Sequence, residues 1–412
     1  DVIGNFNSEN KVNILMFHHN IYPKKLKIEG NKLEQNITRT RLTNLNIFSV
    51  DPDDCQDIDD ALSIEVTDKK TIIGIHIAQP SSFLSLEDIK NKMKYQFSTL
   101  YINDSRKDLW GDEITNKASL FENQLKPAYS TFFYFEDNKL IGINDYPSII
   151  SNRKKLSYDN ADSHTSARNL LNFTKKLEEI EDYHQLISYW MIKTNNYIGK
   201  KLKNRIPYRV NNKKDNINFL KMTLPEDIGK KLQSKNIEAA YYSNSEIRHQ
   251  TLELDYYCHF TSPIRRIIDT WIHYLLTYDE IIDSSDLDIE KINYFDHQTK
   301  KFHRQIELDS IIDKLFENEE HLNTEGYITE IISDNCVEVY LEELGFTKIR
   351  LYNRVFDYLI EKKFGSSLVL KYKDQSFEYK VGSKIKISLN KIDELLPKDR
   401  ISITHKDALF FI

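Results

Sequence analysis

The sequence predicts an α+β protein in which a region of mixed strands and long helices is followed by a small all-β barrel. Three observations predict it. Apolar runs of strand length alternate with polar turns between residues 46 and 77, and the apolar residues shift to helical spacing from about Ser166. Beyond Asn323, short β-like runs return at close intervals. A chain of 412 residues, 40% hydrophobic and 29% charged, is long enough to divide this content among two or three domains.

Taken in order, Asn13 to Phe17 and Asn46 to Val50 read as short strands between polar turns. Ala61 to Val66 and Thr71 to Ile77, joined by Thr67-Asp68-Lys69-Lys70, read as a hairpin, with the acidic stretch Asp51 to Asp60 running into its first strand. From Ser166 to Leu202, Leu170, Leu171, Phe173, Leu177 and Ile180 lie at helical spacing with almost no breakers, which predicts one or two long helices. A further helix is expected after Pro263 through Trp271 and Leu275, and another over roughly 292–315. Six β-like runs then follow: 327–332, 336–341, 347–351, 367–371, 384–389 and 401–405. This density is that of a small barrel.

Composition excludes several classes. Only 11 glycines and 9 prolines occur, too few for collagen-like or linker-rich architectures. The three cysteines, Cys55, Cys258 and Cys336, lie far apart without paired spacing, against a disulfide scaffold and in favour of a reducing, intracellular setting, cytoplasmic or organellar. No apolar run of about 18 residues exists to span a membrane. The opening Asp1-Val2-Ile3-Gly4 lacks an initiator Met and a leader, and reads as a fragment or processed chain. The net charge is −6, which alone argues mildly against a nucleic-acid partner. Yet residues 51–65 alone contribute −7, so the rest of the chain sums to +1.

Asp51-Pro52-Asp53-Asp54-Cys55-Gln56-Asp57-Ile58-Asp59-Asp60 carries six carboxylates in ten positions. So dense a cluster is tolerable only if water solvates it or a cation neutralises it, and hard oxygen ligands point to Mg²⁺ or Mn²⁺. A solvated acidic loop is the plain alternative, but strand-like runs flank the cluster on both sides. An EF-hand calcium loop fails, because the sixth and twelfth positions from Asp51 are Gln56 and Leu62. Asp53-Asp54-Cys55-Gln56-Asp57 also matches the DDxxD pattern of prenyl-transfer enzymes, which needs a helix that Pro52 disfavours. The third reading is metal-assisted phosphodiester hydrolysis.

A second stretch strengthens the third reading. His259-Phe260-Thr261-Ser262-Pro263-Ile264-Arg265-Arg266 sets two arginines just past an expected Ser-Pro helix start, with Asp269 and His273 at one-turn spacing. Arginines and helix N–H donors suit phosphate, although a basic surface helix would also use such a pair. From Gly199 to Lys221 a run holds Lys200, Lys201, Lys203, Arg205, Arg209, Lys213, Lys214 and Lys221 against Asp215 alone. It is a candidate phosphate track, or simply a solvated helix end.

On these residues the chain resembles the ribonuclease II / ribonuclease R family, whose catalytic module is the RNB domain. Two long motifs carry the resemblance: Ser49 to Ser63 around the aspartates, and Tyr257-Cys258-His259-Phe260-Thr261-Ser262-Pro263-Ile264-Arg265-Arg266. Weaker features keep family order: Arg41 to Leu45, His76-Ile77-Ala78, Tyr101, Leu156-Ser157-Tyr158, Met191 to Asn195 and Tyr208-Arg209-Val210. The resemblance implies an RNB fold of mixed sheet with surrounding long helices over 39–320, an S1-like OB barrel over 323–412, and in 1–38 a remnant of N-terminal cold-shock domains. It implies a Mg²⁺-dependent exoribonuclease (Mn²⁺ as substitute) that hydrolyses single-stranded RNA from the 3′ end to nucleoside 5′-monophosphates.

Asp51, Asp57, Asp59 and Asp60 match the family's four acidic positions. Asp51 and Asp60 would ligate the metal most directly, and Asp59 would place the attacking water. Arg265 matches the arginine at the scissile phosphate and Glu307 an acidic residue near the RNA 3′ end. Tyr101 and Tyr158 match aromatic positions at the terminal nucleotides, with Arg209, Arg266 and His259 as further RNA contacts. In the barrel, RNA contact would fall to aromatics such as Tyr340, Tyr352 or Phe356. The chain departs from the pattern at Gln79-Pro80, at Ser188 and at Tyr274, and the short interval between Tyr158 and Ser188 leaves no room for a β-hairpin found there in many members. These departures leave open a second expectation, an RNA-binding pseudo-enzyme within a larger RNA-processing assembly.

Overall fold

The computed structural model describes residues 11–102, 105–212, 239–278, 284–317, 321–333, 336–344, 348–353, 359–364, 367–372, 374–391, 401–405 and 410–411. Its first element is a helix, α1 (Lys11–His18), where the sequence reads Asn13 to Phe17 as a strand. The apolar run is too short for periodicity to separate the two. Packing decides: Leu15, Met16 and Ile21 bury against Leu100, Ile102, Phe302 and Ile306.

Strands β1 (Thr40–Arg41), β2 (Ile47–Val50), β3 (Asp60–Val66) and β4 (Lys70–Ala78) follow. β3 and β4 form the expected hairpin, in register from Asp60↔Ile77 to Val66↔Thr71. Next come helix α2 (Leu86–Lys92), a ribbon of β5 (Leu100–Ile102) and β6 (Ser105–Lys107), helix α3 (Gly111–Ala118), and two long strands, β7 (Leu125–Glu136) and β8 (Lys139–Leu156). The sheet order is β1-β8-β2-β3-β4-β7, with β8 also paired to β7. β8 runs antiparallel to β7 and parallel to β1 and β2, which makes the sheet mixed and joins its two ends.

The expected helical region from Ser166 resolves into α4 (Thr165–Thr174) and α5 (Tyr183–Lys201), the second capped by Asp182, whose side chain accepts from the Gln185 N–H. Between α4 and α5 the chain makes no hairpin, in line with the short interval read from sequence. A small pair, β9 (Tyr208–Val210) with β10 (Tyr241–Ser243), leads to α6 (Ile267–Tyr278) and the 27-residue α7 (Ile289–Leu315). Helices α4, α5 and α6 bury against the sheet in one apolar cluster, and Ala118 of α3 joins a second. Trp190 of α5 lies 5.3 Å from Phe133 and donates its Nε1 proton to Thr174 Oγ1 at 3.0 Å, so both its apolar and polar parts are satisfied.

Beyond α7 come β11 (His321–Ser333), β12 (Cys336–Leu341), β13 (Lys348–Asn353), β14 (Leu359–Phe364), β15 (Ser367–Tyr372), β16 (Gln375–Lys380), β17 (Lys384–Lys391), β18 (Ile401–His405) and β19 (Phe410–Phe411). β11, β12, β13, β19, β18 and β17 close into a barrel in that order. The 367–371 run, expected in the barrel, instead sits in a three-stranded sheet with β14 and β16, because both its edges are taken by hairpin neighbours. Tyr340 is 1% exposed and packs with Val337, Val339 and Leu389, so it presents no ring to RNA. Phe356 and the side chain of Tyr352 lie outside the described residues, as do Lys213, Lys214 and Lys221. No helix among the described residues is long and apolar enough to cross a membrane.

Candidate active site

β2 ends by delivering Asp51 into a cleft of about 1170 Å³, and the loop from Pro52 returns Asp57, Asp59 and Asp60 to the same space at the start of β3. Two tethers fix this loop. The Asp51 N–H donates to Leu156 O on β8 (2.9 Å), and Lys155 Nζ donates to the carbonyls of Asp53 and Cys55 (2.9 and 3.0 Å). The opposite wall is the second motif. Asn195 of α5 accepts the Phe260 N–H through Oδ1 (2.9 Å) and donates to Tyr257 Oη (3.3 Å), while the Cys258 thiol donates to Asn195 O. Gly199, one turn on, permits this approach, since a Cβ there would overlap the Tyr256 carbonyl oxygen.

Each aspartate has its own surroundings. Asp59 joins the two motifs: its Oδ1 accepts the Ile264 N–H (2.8 Å) and its Oδ2 accepts from Arg265 Nε (3.2 Å). Burial pushes its carboxyl up to about 7, against the opposing pull of Arg265. Asp51 is 9% exposed, and its Oδ2 is buried without a hydrogen-bond partner. Burial raises it to about 6, although a bond from Ser49 and the charge of Lys155 oppose this. Asp60 is raised well above the ordinary carboxylate range by burial and by the charges of Asp51 and Asp59. Asp57 differs, for both its oxygens are taken: Oδ1 by Arg106 Nη1 (2.7 Å) and Oδ2 by Tyr101 Oη (3.0 Å).

Among the described residues, no three His, Cys, Asp or Glu side chains already form a metal-holding set. The reason is visible, since Asp57 and Asp59 spend their oxygens on protein donors. The donor chemistry nonetheless fits a hard divalent cation. Three buried carboxylates are destabilised as anions, and one buried Asp51 oxygen is unsatisfied. A cation would relieve both.

Arg265 is half-exposed in the cleft, held at Nε by Asp59 and at Nη2 by Ser262 Oγ (3.0 Å). The expected Ser-Pro helix start is corrected: α6 begins at Ile267, and Pro263 to Arg266 form a turn. Three of the N–H groups here are committed, Ile264 to Asp59, Arg266 to Ser262 O and Ile267 to Phe97 O, and are spent within the protein. Arg266 is locked onto buried Asp269 by three contacts of 2.7–3.2 Å, and His273 stacks on Phe260 (3.9 Å) and bonds Phe260 O. These three residues build the wall.

Other expected residues fall in different places. Tyr101 and Tyr158 line the cleft. Tyr158 is stacked on His184 at 3.6 Å, which leaves one ring face for a ligand. Glu307 is not among the cleft-lining residues; it lies in a hollow beyond Tyr101 with His303 and Ser310. Arg209 and His259 form a separate cluster: Arg209 pairs with Asp296 (3.1 Å) and stacks on Tyr242 (4.5 Å), whose hydroxyl bonds His259 Nδ1 (2.8 Å). Of the basic run, Lys201 pairs with Asp145 and Lys203 lies over Tyr256. Gln79 is fully buried between Arg39 and Thr277 (2.7 and 2.5 Å), and Tyr274 is buried against Tyr278, so both departures are packing positions. Sequence reading missed Arg106, Asp108 and Lys155. The one available signal was the turn-type dipeptide Asn103-Asp104 between Tyr101 and Arg106 in the sequence.

The RNB domain model matches residues 39–171 and 165–278. Relatives include ribonuclease R of Chlamydia pneumoniae (24% identical, covering 61% of this chain and 49% of that protein) and the exosome complex exonuclease RRP44 of Mus musculus (22%, 74% and 42%). The chain thus spans about half the length of these relatives or less. Among solved structures, Mycoplasma genitalium RNase R in complex with ribose methylated single-stranded RNA is similar with a TM-score of 0.76 at 19% identity, over 98% of this chain and 79% of that one. Yeast Ssd1, a pseudonuclease, is similar with a TM-score of 0.74 at 12% identity, over 97% and 74%. With its aspartate loop, its arginine turn and their shared cleft all falling inside the matched residues, the chain belongs to the RNB domain family.

Proposed function

We propose that the chain is a divalent-metal-dependent exoribonuclease that hydrolyses single-stranded RNA from its 3′ end and releases nucleoside 5′-monophosphates. The observation that carries this is the junction at Asp59, where the acidic loop and the arginine turn meet in one cleft. Asp51 and Asp60 would hold Mg²⁺ or Mn²⁺, whose chemistry when bound is to activate water and neutralise the leaving oxygen. Asp59 holds Arg265 at Nε, so the exposed part of the guanidinium is aimed at a phosphate rather than wandering. Tyr158, backed by His184, offers a flat face to any base, which binds RNA without reading sequence. In this reading residues 39–320 are the catalytic domain and 323–412 an S1-like OB domain that holds the RNA, working in a reducing intracellular compartment.

A second reading, an RNA-binding pseudo-enzyme in a larger RNA-processing assembly, is favoured by the likeness to Ssd1 and by Ser188 at the cleft wall. Two of the three departures, Gln79 and Tyr274, sit in packing positions away from the carboxylates, which supports the active reading. Hydrolysis by the unaltered chain separates the two, and Asp59→Asn then tests the role of Asp59. The variant is expected to bind single-stranded RNA as tightly as the unaltered chain and to lose hydrolysis by about a thousandfold. Full activity in that variant sinks the assignment of Asp59.

A further inference from the structure

The ribbon of β5 and β6 brings an unanticipated group to the acidic cluster. Tyr101 and Arg106 are direct cross-strand partners, so their side chains leave the same face side by side. They reach the two oxygens of one carboxylate, Tyr101 Oη at Asp57 Oδ2 and Arg106 Nη1 at Asp57 Oδ1. Behind it, Arg106 Nε lies 2.8 Å from Asp108 Oδ1, an ion pair whose N–H is not aligned on that oxygen. Arg106 is therefore wedged between two carboxylates, with its side chain 19% exposed. Among the described residues, Lys155 acts on Asp51, Arg265 and Arg266 on Asp59, and Arg106 on Asp57. Asp57 in turn acts electrostatically on both Asp51 and Asp59.

We propose that Arg106 is a built-in counter-cation that withdraws Asp57 from the metal-binding carboxylates and thereby sets how tightly the cluster holds a divalent ion. Arg106 is a positioning residue here; it acts through Asp57. A fixed guanidinium beside the cluster repels an incoming cation and removes one ligand from its reach. The ion is then left to Asp51 and Asp60, the carboxylates with the fewest protein donors. The inference rests on the metal-site reading above, and the test tells the two apart.

Mn²⁺ alone is titrated into the full chain without RNA, and free Mn²⁺ is read by electron paramagnetic resonance, with circular dichroism as the check on folding. Arg106→Met is expected to bind Mn²⁺ roughly tenfold more tightly, since one positive charge leaves and one carboxylate is freed. Arg106→Lys, which keeps the charge, is expected to stay within about threefold of the unaltered chain. Asp57→Asn removes one negative charge and leaves Arg106 without that partner, so it is expected to weaken binding severalfold by charge alone, and to cancel the gain when combined with Arg106→Met. If Arg106→Met folds and binds Mn²⁺ no better than the unaltered chain, or if Asp57→Asn weakens binding equally in both backgrounds, the inference is overturned. Should Arg106→Met not fold, Arg106→Gln takes its place in the same titrations, and a loss of about a hundredfold or more in Asp57→Asn alone, beyond what one charge supplies, means that Asp57 is a ligand and contradicts it. Absence of Mn²⁺ binding by the unaltered chain overturns the metal reading together with this inference.

Discussion

Four carboxylates share one cleft, yet protein cations and N–H donors divide them into unequal partners. Asp57 and Asp59 are held by arginines, while Asp51, Asp59 and Asp60 carry the electrostatic cost of burial. That cost has a pH signature. Asp51 and Asp59 are raised in the folded state, to about 6 and about 7, so the folded chain binds more protons than the unfolded one below those values. Stability therefore rises on acidification from about pH 8 to about pH 6.5, by an amount of about 1 kcal/mol. Buried His76 and His273, lowered to about 3 by burial, act with the opposite sign: they stay neutral in the fold and charge in the unfolded chain, so below about pH 6.5 they offset the further gain from the two aspartates. Denaturant unfolding of the chelator-treated protein should show stability rising from pH 8 to about pH 6.5 and levelling off just below, and Mg²⁺ should flatten the alkaline side. A monotonic gain up to pH 8 contradicts the strained carboxylates. At this scale the aspartates and Arg265 were legible in sequence, because their density and type are chemical statements in themselves. Arg106 was not, since its role comes from a cross-strand partner rather than from a neighbour in the chain.

Among the elements, the strap from Tyr256 to Phe260 decides where the arginine turn sits, and α5 decides where the strap sits. Asn195 binds it and Gly199 lets it approach. Gly199→Ala would drive a methyl group into the Tyr256 carbonyl, with an expected loss of about 3 kcal/mol or more of unfolding free energy. Nuclease activity should fall with it, because the turn that carries Arg265 follows directly. An unchanged denaturation midpoint in that variant means the strap is not held as described. The long helices and the β3–β4 hairpin were readable from periodicity and turn residues. α1 was not, because four consecutive apolar residues, Ile14 to Phe17, fit both periods until Phe302 and Ile306 are known to lie opposite. β7 and β8 went unnoticed, although at 12 and 18 residues they are the longest strands of the sheet.

In the whole molecule, α7 ties the cleft to the barrel. Its N-terminal half bonds β10, where Asn293 Oδ1 accepts the Tyr242 N–H and Asn293 Nδ2 donates to Tyr242 O, and its last turn puts Ile312 into the barrel core with Phe316, Ile328 and Val337. Ile312→Ala is expected to cost about 2–4 kcal/mol. It should lower a single shared thermal transition, whereas two separate transitions with only the later strands affected would mean that the barrel folds independently of the cleft. The modest net charge of −6 takes on meaning at this scale as well, since it is the sum of one acidic cluster and an otherwise balanced chain. The central claim is tested most directly by incubating the purified chain and Mg²⁺ with single-stranded RNA labelled at its 5′ end. Stepwise shortening of the labelled strand, release of nucleoside 5′-monophosphates, and arrest by a chelator are the predicted result. Stable binding with no shortening over hours would contradict it and favour the pseudo-enzyme.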